Sequence, residues 1–121
     1  MSKRILVVED EEDNRKILRD LLTNAGFEMI EAEDGEKGVA AAIRERPDLI
    51  LMDMQLPVLD GYEATRRIKA RPELKSVPII AVTSYALRGD ENKVIAAGCD
   101  GYVPKPFSPR ALLAKIKQLL P

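Results

Sequence analysis

Two hydrophobic patterns alternate along the chain. Short apolar runs stand at 5–8, 49–53, 78–82 and 101–103, and a weaker, partly alternating one at 27–32, each bounded by polar or turn residues. Runs this brief predict strands, and the uninterrupted ones predict burial on both faces of a parallel sheet. Pro47 before the third run and Pro57 after it leave no room for a helix there. Between the runs, apolar residues recur at helical spacing. They are Ile17, Leu18, Leu21, Leu22 and Ala25; then Val39, Ala42 and Ile43; then Ala64 and Ile68; then Val94 to Ala97; and last Leu112, Leu113, Ile116, Leu119 and Leu120. These predict five helices, and all but the consecutive set Val94 to Ala97 read as an inward face.

The punctuation agrees. Glu11, Glu12 and Asp13 suit the positive end of the first helix, and Gly26 suits its end. Gly98 closes the fourth helix. Ser108-Pro109 opens the fifth, with Ser as cap and Pro at the first position. Arg66, Arg67, Lys69 and Arg71 are expected to face water on the third. Strand and helix in strict alternation predict an α/β fold, a doubly wound parallel five-stranded sheet with right-handed crossovers. No linker, repeat or low-complexity segment appears, so residues 1–121 are expected to form one domain with no output domain attached. The start at Met1 and the end just past the last helix suggest that the chain was not cut from a longer one.

Composition narrows the function. The chain has 121 residues, 45% of them hydrophobic, and a net charge of −1. That is enough for one core, and it offers no broad basic surface for nucleic acid. No apolar run approaches the ~20 residues of a membrane span. The apolar stretch near the N-terminus is too short for a signal peptide. Cys99 is the one cysteine and has no partner for an internal disulfide, so a cytoplasmic location is expected. There is no histidine at all. This removes Ser-His and Cys-His pairs, histidine metal ligands and phosphohistidine on this chain. Neither G-x-x-x-x-G-K-[ST] nor G-x-G-x-x-G occurs.

The chemistry that remains stands at the strand ends. Strand one ends on Glu9-Asp10, strand three on Asp53, strand four on Thr83-Ser84, and strand five runs to Lys105. A parallel sheet gathers such ends on one edge, where ligands bind. Three carboxylates there would repel one another, and a divalent cation with oxygen ligands, Mg²⁺, would relieve the conflict. A lysine and a hydroxyl beside a carboxylate complete the equipment for accepting a phosphoryl group. Taken singly, Lys105 reads as a solvated loop lysine, Thr83 as a helix cap and Tyr102 as a half-buried aromatic. Their joint placement at successive strand ends favours the functional reading.

The motifs VVED (7–10), LILMDMQLPVLDG (49–61), VTS (82–84) and YVPKPF (102–107) resemble those of bacterial two-component response regulator receiver domains, the CheY-like superfamily. The resemblance spans essentially the whole chain, and MDMQLPVLDGYEATRRIK with GCDGYVPKPFSP resembles stand-alone receivers of the DivK kind. It implies a flavodoxin-like sheet of order 2-1-3-4-5. It implies that Asp53 is the phosphorylated residue, and that Asp10, Asp53 and the Gln55 carbonyl bind Mg²⁺ directly. Glu9 would reach the metal through water. Lys105 and Thr83 would hold the phosphoryl oxygens, Tyr102 would be the aromatic switch, and the Lys105-Pro106 bond would be cis. Gln55 and Tyr85 would overhang the site and tune hydrolysis of the acyl phosphate.

The same resemblance implies a phosphoacceptor switch, not an enzyme with a separate substrate, which catalyses only its own phosphoryl transfer and dephosphorylation. Its partners would be a sensor histidine kinase or a histidine phosphotransfer protein, and a downstream protein met through the helix 4–strand 5–helix 5 face. Nucleic acid and membrane are not expected. Two rivals stand beside this. One is a phosphorylation-independent interaction module with the same fold. The other is a hydrolase of the haloacid dehalogenase class, against which stands Gln55 where that class has a second Asp.

Overall fold

A computed structural model describes residues 2–84 and 90–120. Five strands, β1 Arg4–Val8, β2 Glu28–Ala32, β3 Leu49–Asp53, β4 Ile79–Thr83 and β5 Gly101–Pro104, alternate with α1 Glu12–Asn24, α2 Gly35–Glu45, α3 Gly61–Lys69, α4 Asp90–Ala97 and α5 Pro109–Leu119. All strand pairs are parallel, in the order β2-β1-β3-β4-β5. This is the doubly wound five-stranded sheet that the sequence predicts.

Side-chain alternation along the strands divides the interior in two. Leu6, Val8, Ile50, Met52, Ile79 and Ala81 pack with Ala41, Ala42, Ala64, Ile68 and Val94 of α2, α3 and α4. Ile5, Val7, Leu49, Leu51, Ile80 and Val82 pack with Leu18, Leu22, Leu112 and Ile116 of α1 and α5. Every residue of β3 and β4 is buried. This is why those strands lack polar alternation: each side chain meets a helix on one face or the other.

Gly26, Gly98 and Ser108-Pro109 end or open their helices as expected, and two aspartates add caps the sequence reading had not named. Asp34 and Asp60 cap α2 and α3 by accepting from the backbone N–H of Lys37 and Glu63. Ser108 accepts from Ala111 at the start of α5, with Pro109 as first helical residue. Gly26 and Gly98 have φ of 90° and 110°. That is the left-handed geometry that glycine supplies where a helix stops.

The structure departs from the sequence reading at several points. β4 begins at Ile79, not Pro78; Pro78 has no N–H to give, and its carbonyl accepts from Ile50 at 2.9 Å. β2 starts one residue later than expected and β5 runs one residue longer. A 3-10 turn at Pro72–Leu74, unforeseen, buries Leu74 completely. Ile17 lies outside the core, 54% exposed. Lys69 is drawn in: its Nζ donates to the Val77 carbonyl (2.7 Å), the Lys75 carbonyl (3.2 Å) and Asp100 Oδ2 (3.0 Å). Asp100 also accepts from the N–H of Ile79 at 2.9 Å, so this lysine pins the entry of β4.

Candidate functional site

The register brings the carboxyl ends of β1, β3, β4 and β5 to one level: Val8 faces Met52, Asp53 faces Val82, and Thr83 faces Pro104. Each chain continuation then delivers a polar side chain. Asp53 is 3% exposed at the end of β3. Its Oδ1 accepts from the N–H of Gln55 at 3.0 Å, and its Oδ2 from Lys105 Nζ at 2.9 Å. Lys105 also donates to Glu9 Oε1 at 3.1 Å. The N–H of Lys105 bonds the Thr83 carbonyl at 2.8 Å, and the Lys105-Pro106 peptide is cis, as the resemblance implies.

Glu9 is equally buried. Its Oε2 accepts from the N–H of Glu11 at 3.0 Å, and its Oε1 lies 3.5 Å from Asn14 Nδ2. Asp10 follows it and is exposed. Ligand atoms of Glu9, Asp10 and Asp53 all lie within 4.8 Å of one another. Although Asp10 is exposed, partial loss of hydration, a hydrogen bond with Glu9 and the charge of Glu9 push its pKa up, against a backbone hydrogen bond and the pull of Lys105. Burial works against the Lys105 ammonium, but hydrogen bonds and charge from Asp53 and Glu9 together outweigh it and raise its pKa. An all-oxygen set beside open solvent fits a hard cation that keeps several waters.

Thr83 ends β4 and is fully buried. Gln55 spans the mouth above it: Nε2 lies 3.4 Å from Thr83 Oγ1, and Oε1 accepts from the N–H of Ser84 at 3.4 Å. Tyr102, on β5, is half-buried against the core on the α2–α4 side of the sheet. Tyr85 lies outside the described residues. Thus Glu9, Asp10, Asp53, Gln55, Thr83 and Lys105 meet at one edge, and Tyr102 stands a short way down β5. Sequence reasoning missed Asn14 and Arg15. Both lie on α1, a helix read only for its acids and apolar face, yet both reach back to Glu9.

The loop after Asp53 is closed on itself. Met54 donates to the Val82 carbonyl, and Gly61 returns to donate to the Met54 carbonyl, both at 3.1 Å. A Cβ on Gly61 would sit 2.2 Å from the Asp53 carbonyl oxygen, so only glycine lets α3 start there. At the crest, Val58 has φ of 69° and the N–H of Leu59 bonds the Pro57 carbonyl at 2.7 Å.

A buried aspartate flanked by acids and a lysine, at the carboxyl edge of a 2-1-3-4-5 sheet, defines a class of signalling domain. The chain belongs to the response regulator receiver domain family, whose pattern matches residues 5–117. It is 42% identical over 120 residues to the polar-differentiation response regulator DivK of Brucella anthropi, covering 99% of this chain and 98% of that one. It also superposes on the receiver domain of a sensor histidine kinase from Pseudomonas aeruginosa, solved with a magnesium ion coordinated in its active site cleft. There the TM-score is 0.92 and the identity 40%, with 98% of each chain covered. A chemotaxis response regulator of Vibrio cholerae matches with a TM-score of 0.94 and 29% identity over 99% of this chain and all of that one. The protein is a response regulator of two-component signalling.

Proposed function

We propose that Asp53 accepts a phosphoryl group from a phosphohistidine on a sensor histidine kinase or histidine phosphotransfer protein, and that the resulting 4-aspartylphosphate switches the domain. A carboxylate oxygen of Asp53 forms the new bond to phosphorus. The phosphorus–nitrogen bond breaks, and the leaving imidazole is reprotonated from solvent. The observation that carries this reading is the buried Asp53 carboxylate held by Lys105 at 2.9 Å in a cluster of acids. Lys105 keeps the nucleophile oriented and supplies fixed positive charge for the incoming oxygens. Asp10, Asp53 and the Gln55 carbonyl would hold Mg²⁺ directly, with Glu9 through water. When bound, the ion would neutralise the charge that builds up on the phosphoryl oxygens.

The added group carries up to about two negative charges and needs donors. The Thr83 hydroxyl supplies one. Its movement would bias the domain between two arrangements, with Tyr102 following. The protein itself is a switch; it turns over only its own phosphoryl group.

A shallow, mostly apolar depression of about 400 Å³ supports a protein donor. Asn14, Ile17, Pro106 and Phe107 line it beside Lys105. For the downstream partner we propose the α4–β5–α5 face, where Ile95 is exposed and Tyr102 half-buried. The single cysteine, buried and free, fits work in the reducing cytoplasm.

The test is incubation with acetyl phosphate and Mg²⁺ followed by intact-mass measurement. One phosphoryl group should add to the wild type and none to Asp53→Ala. A mass gain that survives in Asp53→Ala overturns the assignment.

A further inference from the structure

Arg15 leaves α1 and reaches back under the turn that carries Glu9 and Asp10. Its side chain is only 12% exposed. Nη1 donates to the Glu9 carbonyl at 2.8 Å, Nη2 pairs with Glu12, and Nε lies 3.4 Å from Glu31 Oε1 on β2. Glu31 is itself gripped by Arg19, through Nε at 2.9 Å and Nη2 at 2.6 Å. The guanidinium is thus fixed from two sides, and its planar fork delivers one hydrogen bond to one backbone oxygen.

That oxygen matters because of what the turn carries. The N–H of Glu9 is held by the Ala32 carbonyl at 3.0 Å, and the N–H of Glu11 by the Glu9 side chain at 3.0 Å. Arg15 holds the carbonyl between them. Asp10 is exposed, so the backbone on which it stands sets its direction. We propose that Arg15 is a positioning residue for the metal pocket: through the Glu9 carbonyl it aims Asp10 at the cation. This rests on the reading of Glu9, Asp10 and Asp53 as the Mg²⁺ site and deepens it.

Two simpler roles predict other results. A guanidinium acting only as a nearby charge would repel a divalent cation, so its removal would tighten Mg²⁺ binding. A guanidinium that only braces the fold would, on removal, lower the thermal midpoint and leave Mg²⁺ affinity alone. A positioning residue weakens Mg²⁺ when removed. Groups one step from the ligands typically matter by tenfold or more.

The experiment is calorimetric titration of Mg²⁺ into wild type, Arg15→Gln, Arg15→Lys and Asp53→Ala, with thermal midpoints taken in EDTA. Arg15→Gln should bind about tenfold more weakly. Arg15→Lys keeps the charge but not the fork, and should also bind more weakly than wild type. Unchanged or tighter binding in Arg15→Gln overturns the proposal. Should Arg15→Gln fail to fold, Arg15→Lys decides by the same criterion. A wild type that binds no Mg²⁺, or binding that Asp53→Ala leaves unchanged, overturns the metal-site reading itself and the proposal with it.

Discussion

Lys105 Nζ lies 2.9 Å from Asp53 Oδ2 across 52 residues of chain, and the same ammonium reaches Glu9. Without a metal, this lysine is the positive charge that lets two buried carboxylates stay together. Lys105→Met should therefore destabilise the metal-free protein, by about 1–3 kcal/mol. A sealed pair would cost more, but Lys105 is 21% exposed. Its raised pKa gives stability that is present below the ordinary lysine value of 10.5 and lost as pH rises through the folded value. Urea unfolding in EDTA should show the deficit steady from pH 7 to 9 and shrinking above the lysine range. A variant as stable as wild type at pH 7 would count against the bridging role.

Asp10 gives the opposite sign. Its raised pKa means that ionising it costs folding free energy, and the cost is present above the carboxylate range. Asp10→Asn should raise the thermal midpoint in EDTA at pH 7.5, with the gain vanishing at low pH where both forms are neutral. Mg²⁺ should then raise the midpoint of the wild type and not of the variant. Scanning calorimetry at two pH values, with and without the ion, checks both parts.

Val58 is β-branched, 74% exposed and in the left-handed region at φ of 69°. That conformation costs a residue with a side chain about 1–2 kcal/mol. Glycine is free of the cost but loses roughly 0.5–1 kcal/mol in greater freedom when unfolded. Val58→Gly should stabilise by about 0.5–1 kcal/mol. An unchanged or lower urea midpoint would mean that the loop carries no such strain.

Cys99 is buried beside the Thr65 hydroxyl, 3.8 Å away. Burial pushes its thiol pKa up to about 11. At pH 8 the native protein should not react with a thiol reagent, while denatured protein reacts at once. Rapid labelling of the native state would show that the α3–α4 side of the core opens easily.

Much of this was legible before any coordinates, and the reason is physical. β3 and β4 are buried on both faces, so their apolar runs read as buried strands, and the polar residues that stop them, Asp53 and Thr83, mark the sheet edge. Ser108 stands where a helix cap must. What was hidden depends on long side chains crossing between elements. Lys69 sits among surface-type cations in sequence, and only the fold reveals three acceptors within its reach. Arg15 carries no signal in the sequence that sets it apart from other charges, yet its fork reaches a carbonyl six residues back. Ile17 matched the helical period, but α1 buries only Leu18 and Leu22, and the stripe ends before it. Periodicity registers spacing, not the width of the surface a helix covers.

The pinch at Gly61 turns the segment after Asp53 into a handle with two fixed feet. Met54 anchors one foot and Gly61 the other, and the last backbone carbonyl of β3 leaves no space for either to slide. Leu56 and Leu59 pack against the core, but Pro57 and Val58 are exposed and can therefore vary in shape and charge while the Asp53 carboxylate stays where it is. The exposed crest of the handle is thereby uncoupled from the position of Asp53.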